Sequence, residues 1–137
     1  MSVSEKHHNL CQRLALIEDS QERLAAVLER SQKLPKIPES ERTEARRIQG
    51  CVSRVWLIGE WIGDQCHFRI DADSALVRAL AALVCEPFHG GSPVEILAHH
   101  GDILADLNLS AQLTPTRLQG LASVREAVRA FAAAHTR

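Results

Sequence analysis

Apolar residues recur at helical spacing through the first third of the chain. Leu10, Leu14 and Ile17 fall at i, i+4 and i+7, and Leu24, Val27 and Leu28 again share one side. The pattern predicts two amphipathic helices, over 9–18 and 21–33. Ser20 is placed to cap the second, and Leu34-Pro35-Lys36-Ile37-Pro38 ends it, since proline cannot continue a helix. A charged loop follows to Gln49, and the apolar run from Val52 that closes at Gly59 reads as a strand near 52–61. Ile62-Gly63-Asp64-Gln65 reads as a turn. Beyond it the period is two: Cys66, Phe68 and Ile70 alternate with His67 and Arg69, as in a strand over 66–71 with one buried face.

The remaining pattern is helical. With Asp73 or Ser74 as cap, Leu76, Ala79, Leu80, Leu83 and Val84 form a stripe closed by Pro87 and Gly90-Gly91. Ser92-Pro93-Val94-Glu95 has the form of a capping box with proline at the first helical position, and predicts a short helix that stops near Gly101. Another short helix is predicted over 102–108. Thr114-Pro115 opens the last, with Leu118, Leu121, Val124, Val128 and Phe131 on its apolar face and a frayed end from Ala132 to Arg137. These elements predict an α+β fold: a small antiparallel, hairpin-based sheet of two to three strands packed against several helices, as one domain over 1–137.

Composition narrows the partners. With 137 residues, 45% of them hydrophobic, the chain is long enough to bury a core without staples. A net charge of −1, with both signs interspersed, excludes an electrostatic footprint for nucleic acid or an anionic membrane. A protein partner is expected instead. No apolar run approaches the ~20 residues that span a bilayer. The four cysteines, at 11, 51, 66 and 85, show no C-x-x-C spacing, and the polar N-terminus lacks a signal-peptide core, so a cytoplasmic chain with reduced thiols is expected.

One thiol stands apart from the others. In Ile48-Gln49-Gly50-Cys51-Val52-Ser53-Arg54-Val55-Trp56-Leu57, Cys51 lies at the junction of the charged loop and the first strand, where it can be presented to a partner. Gly50 beside it allows a tight approach. Arg46, Arg47, Arg54 and Arg117 are the cations available to favour its thiolate, and Val52, Val55 and Trp56 are candidates for an apolar niche around it. Cys66 and Cys85 fall on core positions, and Cys11 follows Leu10 on an amphipathic helix. Seven histidines include the pairs His7-His8 and His99-His100, but adjacent positions diverge and no cysteine–histidine spacing matches a zinc module. They read as solvated or loop histidines, and no metal or cofactor of the chain's own is expected.

Three motifs carry a resemblance. I-Q-G-C-x-S-x-V-W-L, followed by Asp71-Ala72-Asp73-Ser74-Ala75-Leu76-Val77-Arg78 and by Leu113-Thr114-Pro115-Thr116-Arg117-Leu118-Gln119-Gly120-Leu121, resembles in order the signature of SufE-type sulfur acceptors over roughly residues 32–129. Ala79 departs from the family's usual glycine. The resemblance implies a SufE/IscU-like fold and a sulfur carrier that takes persulfide sulfur from a pyridoxal-phosphate cysteine desulfurase, SufS- or CsdA-like, onto Cys51. It further implies stimulation of that desulfurase, with the pyridoxal phosphate on the partner, and delivery to an iron–sulfur scaffold of the SufBCD type, by a monomer or homodimer. Gly50, Arg54, Asp73 and Arg117 are the supporting or docking residues; Asp73 is read first as a helix cap and second as a regulator of the active loop, and Arg117 as a cation held by a partner. Two rivals remain: a thiol redox protein using Cys51 through a sulfenic acid, and a non-catalytic adaptor.

Overall fold

A two-residue turn sets the register of the sheet. In a computed structural model that describes residues 1–136, Gly63 and Asp64 both adopt positive φ, 57° and 61°, as a type I′ hairpin turn requires. The flanking strands β1 (Val55–Ile62) and β2 (Gln65–Ala72) pair antiparallel, from Ile62 opposite Gln65 to Val55 opposite Ala72. Val55, Leu57, Cys66, Phe68, Ile70 and Ala72 face the main core, while Trp56, Ile58 and Asp71 face the other side. Two isolated bridges, Arg47 to Trp56 and Cys66 to Gly91, extend the sheet by single residues, so the described residues hold two strands. β1 begins at Val55, not 52, which leaves Cys51 in the loop before it.

Helices enclose the first face. α1 (Val3–Ala15) and α2 (Ser20–Gln32) precede the hairpin; α3 (Ala75–Cys85), α4 (Pro93–Ala98), α5 (Ile103–Asp106) and α6 (Pro115–Ala134) follow it. Val3, Leu10, Val27, Leu80, Leu83, Ile96, Leu107, Val124 and Val128 make a continuous interior with the sheet. Ser92 forms the expected capping box with Glu95, and Thr114 caps α6. Three details differ from the sequence expectation. Ser2 and Glu5 form a second capping box that starts α1 at Val3. Asp19, not Ser20, caps α2 by accepting from the Gln21 amide. The last helix holds through Ala134, because Ala132 is fully buried against the core.

A loop and two short 3₁₀ turns, Glu39–Glu41 and Glu44–Arg46, cover the second sheet face. Ile37 packs there with Trp56 and Ile58, and the Arg42 guanidinium lies 5.0 Å from the Trp56 ring centre. Asp71 anchors this layer. Its side chain is 1% exposed, and each oxygen takes two hydrogen bonds. Oδ1 accepts from the Ala72 amide (2.8 Å) and Arg78 Nε (2.9 Å); Oδ2 accepts from the Ile37 amide (2.8 Å) and Arg42 Nη2 (2.8 Å). Arg78 extends the network to the carbonyls of Ser31 (2.6 Å) and Leu34 (2.8 Å) at the end of α2.

Burial alone would raise the Asp71 pKa, but the two backbone donors and two guanidinium groups outweigh it and hold the carboxyl below its ordinary value. Its folded pKa is therefore depressed, so its stabilisation is complete above the unfolded value of about 3.9 and disappears as pH falls through the lower folded value. Asp71→Asn leaves Arg78 buried without a counter-charge and should cost about 3–5 kcal/mol. Urea unfolding at neutral pH checks the loss, and the same titration repeated toward pH 3 should show a flatter acid dependence in the variant.

Candidate functional site

The loop from Gln49 to Arg54 is tied at both ends. At its base the Ile48 amide donates to the Val55 carbonyl (2.8 Å), with Ile48 buried. At its far end the Asp73 amide donates to the Arg54 carbonyl (3.1 Å), while Asp73 Oδ1 accepts the Arg54 amide (3.1 Å) and Oδ2 accepts from Arg54 Nε (3.2 Å). Asp73 is thus a loop latch. Ser74 takes the capping role for α3 by accepting from the Val77 amide, which corrects the reading of Asp73 as a cap. The exposed guanidinium–carboxylate pair contributes only ~0–1 kcal/mol; the two backbone bonds set the position.

Between these ties the chain doubles back against α6. Gly50 has φ 88°, a conformation that side chains disfavour, and a Cβ there would sit 2.9 Å from Ser123 Oγ. Its neighbour turns inward: Cys51 Sγ–H donates to the Gly120 carbonyl oxygen (3.2 Å). Gly120 eases this approach, since a Cβ would lie 3.3 Å from Sγ and press on it. A pocket of about 160 Å³ opens beside the sulfur, bordered by Val52, Val77, Leu121, Val124 and the first turn of α6 at Thr114, Thr116 and Arg117. Val52 belongs to the niche as expected, although 83% exposed. Val55 and Trp56 do not border it. Val55 is sealed in the main core and Trp56 faces the opposite side of the sheet.

The thiol is held protonated. Half-burial raises the Cys51 pKa, and the Arg47 charge offsets only part of that rise. The expectation that several arginines would favour the thiolate is not met in this arrangement. Arg54 is engaged by Asp73 and lies 5.7 Å from the Trp56 ring centre, and Arg46 donates to the Glu41 carbonyl. Arg117 borders the pocket with its guanidinium unbonded among the described residues; only its backbone amide is engaged, by Thr114. Of the three partners expected for it, a carboxylate, the loop backbone or the desulfurase, neither of the two within the chain engages it among the described residues. Movement of Sγ away from the Gly120 carbonyl would relieve both the desolvation and the adverse dipole.

The other thiols are placed differently. Cys66 and Cys85 are buried as expected, and Cys85 is pushed up to about 12 by burial. Cys11 is half-buried on α1. The histidines are not simply solvated, which corrects that reading: His7 is 8% exposed and His89 accepts the Phe68 amide. A second, larger groove of about 720 Å³ runs beside the Cys51 loop, bordered by Arg46, Arg47, Gln49, Gln119 and Phe131. No helix of the described residues is long and apolar enough to cross a membrane.

Known proteins resemble this chain in sequence and in fold. The SufE family model, described as an Fe–S metabolism associated domain, matches residues 8–132. The chain belongs to the SufE family. An uncharacterised SufE-like protein of Rhizobium meliloti is 33% identical over 115 residues, covering 80% of this chain and 82% of that protein. The sulfur acceptor protein CsdE of Escherichia coli is 36% identical over 98 residues, covering 69% and 66%. The solution structure of a hypothetical protein from Thermus thermophilus superposes with a TM-score of 0.77 at 21% identity, over 95% of both chains, and so shares the SufE fold.

Two measurements test the geometry of this SufE-family loop. The pH midpoint for alkylation of Cys51 by iodoacetamide should lie above the free-cysteine value of about 8.5, and Arg47→Ala should move it further up by removing the one offsetting charge. Asp73→Ala should speed Cys51 alkylation severalfold, while Asp73→Asn, which keeps an oxygen for the Arg54 amide, should stay near the wild-type rate. Peptide mass spectrometry, with Cys85 as the buried reference, separates the sites.

Proposed function

We propose that this protein is a sulfur carrier: Cys51 accepts sulfane sulfur from the persulfide of a pyridoxal-phosphate cysteine desulfurase and passes it to an iron–sulfur assembly scaffold. The observation that carries this reading is a single thiol on a doubly tied loop, parked beside a cavity with room for one more sulfur atom. In the accepting step the Cys51 thiolate attacks the outer sulfur of the donor persulfide. The new S–S bond forms on Cys51, the donor's S–S bond breaks, and the donor cysteine leaves as a thiolate that takes up the proton. No net oxidation occurs. By clearing the donor's persulfide the carrier stimulates the desulfurase, and the pyridoxal phosphate remains with that partner.

The chain's residues supply restraint, exposure and capture. At rest half-burial raises the Cys51 pKa while its S–H donates to the Gly120 carbonyl, which protects the thiol from adventitious oxidants and argues against the peroxide-sensing rival, whose thiol needs thiolate character and exposure. Release of the Asp73 latch frees the loop to carry Cys51 to a docked donor in the cytoplasm. On return, the added sulfur fits the pocket at the N-terminal turn of α6, where the helix dipole and the Arg117 guanidinium favour a persulfide anion. The groove beside Gln49 and Gln119 offers a docking face next to the same loop.

Incubation with cysteine and a desulfurase should add one sulfur to the intact mass, reversed by thiol reductant and lost in Cys51→Ser. A gain that persists in that variant defeats the reading, and unchanged partner binding and cellular function in Cys51→Ser would favour an adaptor. Arg117→Ala should alter stability by no more than about 0.5 kcal/mol yet reduce sulfur loading severalfold. Loading rates set beside thermal melts distinguish the two effects.

A further inference from the structure

Away from the Cys51 loop, the start of α1 meets the end of α5. His7 and Cys11 are four residues apart on α1 and therefore share a face. Asp106, the last residue of α5, reaches the same point. A ring nitrogen of His7, Cys11 Sγ and an Asp106 carboxylate oxygen lie within 4.8 Å of one another, a grouping of nitrogen, sulfur and oxygen donors from three side chains, and His7 Nε2 is the nitrogen that faces Asp106. We propose that His7, Cys11 and Asp106 form a binding site for a borderline divalent cation of the zinc type, with a solvent molecule as fourth ligand.

The donor chemistry selects that class. Thiolate, imidazole and carboxylate together suit Zn²⁺ and disfavour Mg²⁺ or Ca²⁺, which prefer oxygen alone. Three protein ligands and one open position are a common zinc arrangement. Two anionic ligands and one neutral ligand cancel the charge of a dication, which suits a half-buried place. Tetrahedral zinc sets its ligands roughly 3.5 Å apart, so Cys11 must close by about an ångström while the His7–Asp106 pair, now 2.7 Å apart, opens slightly. Asp106, 53% exposed, is free to make that adjustment.

Behind the ligands stands a support that a simple ion pair does not need. His7 Nδ1 lies 3.0 Å from His99 Nε2, and His99 Nδ1 lies 3.4 Å from Ser4 Oγ. With Asp106 ionised, His7 Nε2–H donates to it and Nδ1 accepts from His99. A cation on Nε2 displaces that proton; His7 then carries its hydrogen on Nδ1 and donates to His99 Nε2, and His99 carries its own on Nδ1 and donates to Ser4. Both rings stay neutral, and the one proton released is that of Cys11. Ligating histidines are ordinarily oriented by such a partner on the second ring nitrogen. Gly101 gives the two rings their room: a Cβ there would come 3.0 Å from both His7 Cε1 and His99 Nε2.

The full chain, stripped with chelator, should bind one equivalent of Co²⁺ with the charge-transfer absorption of a cobalt–thiolate bond, and Zn²⁺ should displace it. The band should vanish in Cys11→Ser and persist in Cys51→Ser, which separates this site from the sulfur-carrier reading. Zn²⁺ should raise the melting temperature of wild type and of Cys51→Ser but not of Asp106→Asn, a near-isosteric change whose fold circular dichroism checks without metal. His99→Ala should weaken Zn²⁺ binding about 10–100-fold. Failure to bind one equivalent, a band that follows Cys51 instead of Cys11, or equal Zn²⁺ affinity in Asp106→Asn would overturn the proposal and leave His7–Asp106 as a structural tie between α1 and α5.

Discussion

Four donors converge on the Asp71 carboxylate, and most of the molecule's order around the reactive loop depends on that convergence. The Ile37 amide and Arg42 bring the covering loop onto the sheet; Arg78 brings α3 and, through its other nitrogens, the end of α2. A buried carboxylate is tolerated only when its lone pairs are used and its charge is met, and here both conditions hold. Two residues further on, Asp73 uses the position so established to hold Arg54. The placement of Cys51 is thus inherited, through a few bonds, from a charge cluster on the opposite face of the hairpin.

That division gives the two sheet faces separate tasks. The face carrying Val55, Phe68 and Ala72 belongs to the helical core and is apolar throughout. The face carrying Trp56 and Asp71 is covered by irregular chain, so polar and cationic groups must do what a helix does elsewhere. The Cys51 loop springs from the edge between them. Its contacts to α6 include one weak S–H···O bond and close approaches at Gly50 and Gly120.

Element positions were largely legible from periodicity and turn chemistry, and the failures have local causes. Asp19-Ser20 and Asp73-Ser74 each offer two competent caps, and nothing in the sequence says which is engaged elsewhere. At the second pair a tertiary bond to Arg54 removes Asp73 from the choice. The end of α6 was expected to fray because Ala132 to Ala134 give no amphipathic signal, yet an alanine is the residue that fits where the helix meets the core most tightly. Around Cys51 the thiol itself was conspicuous, while most of its niche comes from residues far along the chain, Val77, Gly120 and Val124, which no local pattern could supply. The direction of its pKa shift has a related cause: burial by these distant residues raises it, and the nearby Arg47 charge offsets only part of that rise. The His7-to-Cys11 interval was not legible as helical, because the apolar pattern places the first helix only from residue 9 while the capping box starts α1 at Val3.

Because the Cys51 loop is stapled at Ile48–Val55 whether or not Asp73 holds Arg54, its travel has a ceiling. Six residues span at most roughly 20 Å fully extended, and a segment fixed at both ends can lift its middle by no more than about half that length. A crane so short cannot enter a deep cleft. If the proposed transfer to Cys51 holds, a donor would have to bring its own reacting atom close to the surface, so that the handover takes place in the space between two short reaches.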